Sequence, residues 1–152
     1  MMKKYTANLY SANKFVATAL LMTSMLLLLN CKGKDPEPSA TDKVKAQLTS
    51  STWTLQKVTV DDVDQTSAYS GMTIKFTETT YTTTKGGLVW PASGTWAFTD
   101  DTATAFKRDD GVEVKTAATD TSLTLTLTWA KTTLGSGRVE STKGVHIFTF
   151  KK

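Results

Sequence analysis

With one histidine and one cysteine in the chain, nucleophilic or general-base chemistry built on either type would have to pass through His146 or Cys31. His146 stands between Val145 and Ile147 in an apolar, strand-like segment. Imidazole titrates near neutral pH, but catalysis also needs a nucleophile and an orienting acid held around it. No motif supplies them, so the expectation is a structural histidine in a non-enzymatic protein. Asp61, Asp62 and Asp64 gather the oxygen ligands that calcium favours. The glycine and distal glutamate of an EF-hand loop are missing, and the run reads as a solvated turn. Zinc sites need several His and Cys at short spacing. Lys85-Gly86-Gly87 follows a strand-like segment but does not open a helix, as a phosphate-binding loop must. No metal and no cofactor is implied.

Cys31 has a different setting. Lys3, Lys4 and Lys14 precede an apolar run from Phe15 to Leu29, interrupted only by Thr18, Thr23 and Ser24. The run is shorter than the roughly 20 residues of a membrane-spanning helix and suits the core of a secretion signal. It ends in Leu28-Leu29-Asn30-Cys31, which resembles the lipobox of bacterial lipoproteins. Asn30 stands where that motif usually has Ala, Gly or Ser. The resemblance implies a signal peptide over 1–30, cleavage before Cys31 and acylation of its sulfur. An uncleaved anchor with an incidental cysteine is the alternative. Lipidation also explains a lone cysteine in an exported chain, where a free thiol is otherwise unexpected. Two or three acyl chains hold a protein stably, since each buried methylene contributes about 0.8 kcal/mol. The protein is thus expected to be anchored in the cell envelope, at the outer membrane.

The signal region also accounts for most of the basicity. The chain carries a net charge of +4, from 18 basic and 14 acidic residues. Three of the lysines and none of the acids lie in 1–30, which leaves the mature chain at +1. Nothing in that balance points to nucleic acid.

Residues 31–40 read as a polar tether stiffened by Pro36 and Pro38. A short helix is expected over 41–49, with Ser39 and Asp42 at capping-box spacing and Val44 and Leu48 one turn apart. From Ser51 onward strand signals dominate. Leu123-Thr124-Leu125-Thr126-Leu127-Thr128-Trp129 alternates with period two, and Thr95 to Thr99 does the same. Eight strands are expected at 51–60, 72–78, 80–84, 94–99, 102–108, 112–118, 121–130 and 143–150. In the first, Trp53 and Leu55 have one parity and Val58 and Val60 the other, so a β-bulge is expected near Gln56-Lys57. Tight polar turns such as Asp109-Asp110-Gly111, with no helix between strands, indicate an all-β antiparallel meander.

A short helix, then Ser51-Thr52-Trp53 at the start of the first strand, with Gly94-Thr95-Trp96 in mid-domain, resembles a lipocalin-like domain over 41–152. The resemblance implies an up-and-down eight-stranded barrel that binds a small apolar or amphipathic ligand. The rival reading is a protein-interaction or structural module of the envelope with a filled barrel. Trp53, Trp96 and Trp129 are expected in the core by default.

Successive connections of a meander alternate between the two ends. The longer ones, 61–71, 85–93 and 131–142, then share one end with 109–111, and the helix and tether lie at the other. Lys43, Lys45, Lys151 and Lys152 would share the tethered end, where each could add about 1 kcal/mol of attraction to an anionic surface. Loops on a rigid scaffold are the usual place for binding residues. Tyr69, Leu88, Trp90, Leu134 and Arg138, with Trp129 beneath them, are therefore the ligand-binding candidates. Trp90, in the apolar loop segment Leu88-Val89-Trp90, could instead fold back and cap the barrel. The anchor is directly testable. A fatty-acid analogue should label the wild-type protein in cells and leave Cys31→Ala unlabelled; equal labelling of both removes the lipoprotein reading.

Overall fold

The computed structural model describes residues 37–131 and 143–152. Cys31, Leu134 and Arg138 lie outside the described residues. The compact unit Pro38–Lys152 opens with helix α1 (Ala40–Thr49). Ser39 caps it: its hydroxyl accepts the Asp42 N–H at 3.1 Å, and the Asp42 carboxylate accepts the Ser39 N–H at 3.3 Å. This reciprocal box pairs donors that a helix start otherwise leaves open. Leu48, fully buried, is the residue by which α1 enters the core.

Nine strands follow among the described residues: β1 (Thr52–Val60), β2 (Val63–Asp64), β3 (Thr73–Phe76), β4 (Thr80–Thr84), β5 (Ser93–Phe98), β6 (Ala105–Arg108), β7 (Glu113–Ala118), β8 (Ser122–Trp129) and β9 (Gly144–Lys151). All pair antiparallel, each with its sequence neighbour from β3 to β9, and β9 returns to β1 to close the sheet. The result is an eight-stranded up-and-down barrel, compatible with a lipocalin-like fold, with β2 as a two-residue addition to β1. A single-turn 3-10 helix (Thr66–Tyr69) lies within the β2–β3 connection.

The expected bulge is present. The β1–β9 register shifts between Leu55 and Lys57, so Trp53 and Val58, of opposite parity, are both fully buried. Strand ends differ from expectation where turn chemistry wins. The strand expected from 102 starts at Ala105, because the Asp100 carboxylate takes the Thr102 N–H at 2.8 Å and Ala103 turns at φ 56°. The strand expected over 72–78 ends at Phe76, because the Thr77 hydroxyl accepts the Thr80 N–H at 3.1 Å and closes a tight turn.

One end of the barrel holds the turns 77–79, 99–104 and 119–121 together with α1; we call it the helix end. The connections at 61–72, 85–92 and 109–112 lie at the other, the loop end, where β8 finishes and β9 begins. At the helix end, Lys45 pairs with Glu78 at 3.5 Å, the Gln47 amide reaches Asp120 at 3.4 Å and the Trp53 indole N–H donates to the Leu48 carbonyl at 2.9 Å. The basic face anticipated there is a mixed one. Lys43, Lys45, Lys151 and Lys152 share it with Asp42, Glu78, Asp100, Asp101 and Asp120.

Inward side chains fill the barrel. Trp53, Phe76, Tyr81, Phe106, Phe148 and Phe150 are all buried, and Phe76 meets Trp96 and Phe106 edge to face at 5.7 and 5.8 Å. Threonine supplies much of the outer wall, as at Thr82, Thr124 and Thr126. Leu125 lies at the centre of the inner face, paired with Phe148. Leu125→Asp buries a charge without a partner, a cost of several kcal/mol. Circular dichroism should show that variant unfolded, while Ser39→Ala, which removes only a helix cap worth about 1 kcal/mol, should unfold cooperatively with a slightly lower midpoint.

Candidate functional site

The loop end is closed by residues of its own connections. The β4–β5 connection (85–92) folds inward, burying Val89 completely and leaving Trp90 only 1% exposed. Its shape depends on close approach. The Trp90 N–H donates to the Gly86 carbonyl at 3.1 Å, and a side chain at Gly86 would collide with Trp90. The Thr83 hydroxyl donates to the Pro91 carbonyl at 2.7 Å and ties the segment to β4. The Trp90 indole then meets Tyr81 and Phe148 edge to face, at 5.6 and 6.1 Å between centroids. Tyr69 also meets Phe148 edge to face, at 5.2 Å. Burial pushes both tyrosine hydroxyls above their ordinary pKa.

The centre of this end is Arg108, the last residue of β6. Its side chain is fully buried, which is rare for arginine. Nε donates to the Asp110 carboxylate at 3.1 Å, Nη2 bonds its second oxygen, and Nη1 donates to the Val89 carbonyl at 2.8 Å. The guanidinium carbon lies 4.7 Å from the Trp90 ring centre and 5.9 Å from that of Trp129, so the cation also contacts two aromatic rings. Burial opposes the charge of Asp110. Hydrogen bonds from Arg108 and the Val112 N–H, with the charges of Arg108 and Lys131, outweigh it and hold the carboxyl below the ordinary range.

The four tryptophans divide by end. At the helix end, the Trp53 N–H bonds Leu48, and the Trp96 N–H bonds the carbonyls of Thr77 and Thr80 at 3.2 and 3.1 Å. At the loop end, the Trp90 and Trp129 N–H groups are buried with no hydrogen-bond partner among the described residues. The same holds for the Tyr81 hydroxyl and for His146 Nε2. Buried polar atoms in folded proteins are nearly always bonded, and each exception costs about 1–3 kcal/mol. Three of these groups, on Trp90, Trp129 and Tyr81, surround the buried arginine, and His146 stacks on Phe148, which meets Trp90; with two others, Ser51 Oγ and Thr116 Oγ1, lying elsewhere, this end is the candidate site.

Of the six ligand-binding candidates, Tyr69, Trp90 and Trp129 are brought together as buried members of this cluster. Leu88, 47% exposed, is on the rim. Arg108, Tyr81 and His146 belong to the site, but sequence reasoning assigned them no ligand role. Arg108 carried one legible signal, an arginine at an inward-parity position of a strand.

The acids Asp61, Asp62 and Asp64 serve turns. Asp61 and Asp62 form a hairpin with φ of 46° and 68°, and Asp61 accepts the Val145 N–H at 2.8 Å. The crowding at this contact excludes a side chain at Gly144, whose φ is 148°. Asp64 accepts the Thr66 N–H at 2.9 Å. No cluster of three potential metal ligands occurs among the described residues. Two concavities open near the loop end: one of about 540 Å³ bordered by Val112, Lys115, Thr126 and Trp129, and one of about 290 Å³ between Asp61, Asp62, Val145 and Ile147. No family model, curated protein or solved structure matches the chain.

His146 is paired with Val60 and Leu127, stacks on Phe148 at 5.9 Å and bonds the Gly144 carbonyl through Nδ1 at 3.2 Å. Burial lowers its pKa, and the Gly144 carbonyl and the Asp61 charge counteract this only in part. The unfolded chain therefore takes up a proton near pH 6.5, where the folded protein does not. Stability should accordingly fall as pH drops from about 7.5 through 6.5, levelling only below the depressed folded value. Urea titrations across this range should show the loss in the wild type and a flatter profile for His146→Gln. Equal slopes would exclude His146 as its source.

Proposed function

We propose that the chain is a lipid-anchored, lipocalin-like protein of the bacterial cell envelope that binds a small apolar or amphipathic ligand at its loop end and performs no catalysis. The observation carrying this reading is the buried polar cluster around Arg108. A filled barrel intended only as scaffold gains nothing from an enclosed guanidinium and four unbonded polar atoms, whereas a site that exchanges partners needs such groups. His146 supports the non-enzymatic reading, since its ring bonds a backbone carbonyl and stacks on a phenyl ring. Anchoring rests on the apolar run and the Leu28–Cys31 motif. The helix end, from which the tether leads, would face the membrane and the loop end the surroundings.

One observation favours a second reading, a protein-interaction module. Val63, Leu88 and Val145 are the large apolar residues most exposed among the described ones, and all three lie near the loop end. The two readings separate on purification. Protein acylated in its own host and purified in mild detergent should yield about one equivalent of a small apolar or amphipathic compound on solvent extraction, detected by mass spectrometry. An extract holding only the anchor lipid, together with a stable complex that Leu88→Lys disrupts, would favour the interaction module.

A further inference from the structure

The segment that closes the loop end is built like a ligand. Every other buried aromatic side chain among the described residues comes from a strand, except Tyr69 in its 3-10 turn. Trp90 alone comes from an irregular connection. Few hydrogen bonds fasten that connection to the barrel: Thr83 holds the carbonyls of Pro91 and Ala92, and Arg108 holds that of Val89. Around the guanidinium, this segment places an amide oxygen on Nη1 and an aromatic ring 4.7 Å away. These are the contacts that an aromatic amide in solution would make.

Resting on the ligand-binding reading above, we propose that Val89–Trp90 is a built-in competitor occupying a site for a small uncharged aromatic amide, which binds by displacing it. The charges select against an acid. Asp110 already neutralises Arg108 through two bonds. Asp109 adds a further carboxylate beside the Tyr81 hydroxyl, both of them close to Gly94. A second carboxylate on Arg108 would carry uncompensated charge into a buried space. A neutral ligand also gains a bond that the built-in segment leaves unmade. Among the described residues the Trp129 N–H, on a ring beside the guanidinium, has no acceptor, and an amide oxygen can accept from it. The competitor reduces apparent affinity by the fraction of molecules in which it is seated.

The probe is N-acetyltryptophanamide, which reproduces the Val89 carbonyl and the Trp90 indole; its acid, N-acetyltryptophan, is the charged control. Residues 32–152, which include the whole closed barrel, are labelled with nitrogen-15 so that the four indole N–H resonances are seen without interference from the probe. The amide should shift the Trp90 and Trp129 resonances saturably, leave Trp53 and Trp96 in place, and open the Trp90 N–H to rapid solvent exchange. Trp90→Ala should bind the amide at least about tenfold more tightly than wild type, and the acid should bind wild type at least about tenfold more weakly. Should Trp90→Ala fail to fold, the wild-type shifts and the amide-to-acid ratio decide alone. Binding to Trp90→Ala with no displacement in wild type overturns the proposal, since the segment is then fixed core. Equal binding of acid and amide overturns the ligand class. A natively bound compound that leaves the Trp90 resonance unmoved overturns the competitor and spares the ligand-binding reading. No binding by either protein, together with no natively bound compound, removes both.

Discussion

The structure depends on the seam between β1 and β9. An eight-stranded meander leaves two free edges, and an exposed edge is an invitation to pair with another chain. Here β1 removes the problem by pairing along one side with β9 over Thr54 to Val60, and along the other with β3 near its start and β2 near its end. One strand cannot do this and keep both halves of its apolar pattern inward without an extra residue. Gln56 is that residue. The register shift around it turns Trp53 and Val58 to the same side, so the lower half of β1 seals against α1 while the upper half meets the loop-end core. At the top of the seam Asp61 bonds the backbone of Val145 with both its own N–H and its carboxylate, which fastens the start of β9.

Closure on this scale leaves little interior. A barrel of eight strands is just wide enough for its own side chains or one small ligand, and here ten aromatic rings compete for the space. At the helix end both indoles find carbonyls, and α1 packs Leu48 into the core. At the loop end neither indole does, among the described residues. Arginine buried with a carboxylate is poor material for stability, because desolvation can cancel the attraction between them. An apolar side chain of similar volume would serve a passive core better. Among the described residues the buried arginine and four of the six buried unbonded polar atoms lie where loops converge.

That asymmetry gives the arrangement its functional sense. The groups that are not conventionally packed gather at the loop end, away from α1. Exposed apolar side chains, a buried cation and unbonded ring nitrogens all occur there. The connections that carry them turn through positive φ at Asp61, Asp62, Lys85, Gly87 and Gly111. They are held by a handful of hydrogen bonds, in contrast to the continuous ladders below.

Period-two patterning was legible because it is local: the alternation in Leu123–Trp129 follows from a strand having one wet and one dry face. The helix cap at Ser39 and Asp42, the bulge near Gln56 and the placing of the 61–72 and 85–92 connections at one end are local or topological consequences of the same pattern, and the sequence by itself determined them. Strand ends at Phe76 and Ala105 were less legible, since hydroxyl and carboxylate side chains there compete with the ladder for backbone N–H groups. The site was decided only in three dimensions. Whether Trp90 would lie on the rim or plug the barrel depended on what waited inside. Arg108, from a strand nineteen residues further on, offered its guanidinium to the Val89 carbonyl and its face to the indole. Such contacts between distant segments leave no periodic trace in the chain, because they are fixed by the stagger of the closed sheet and by the volume left inside it.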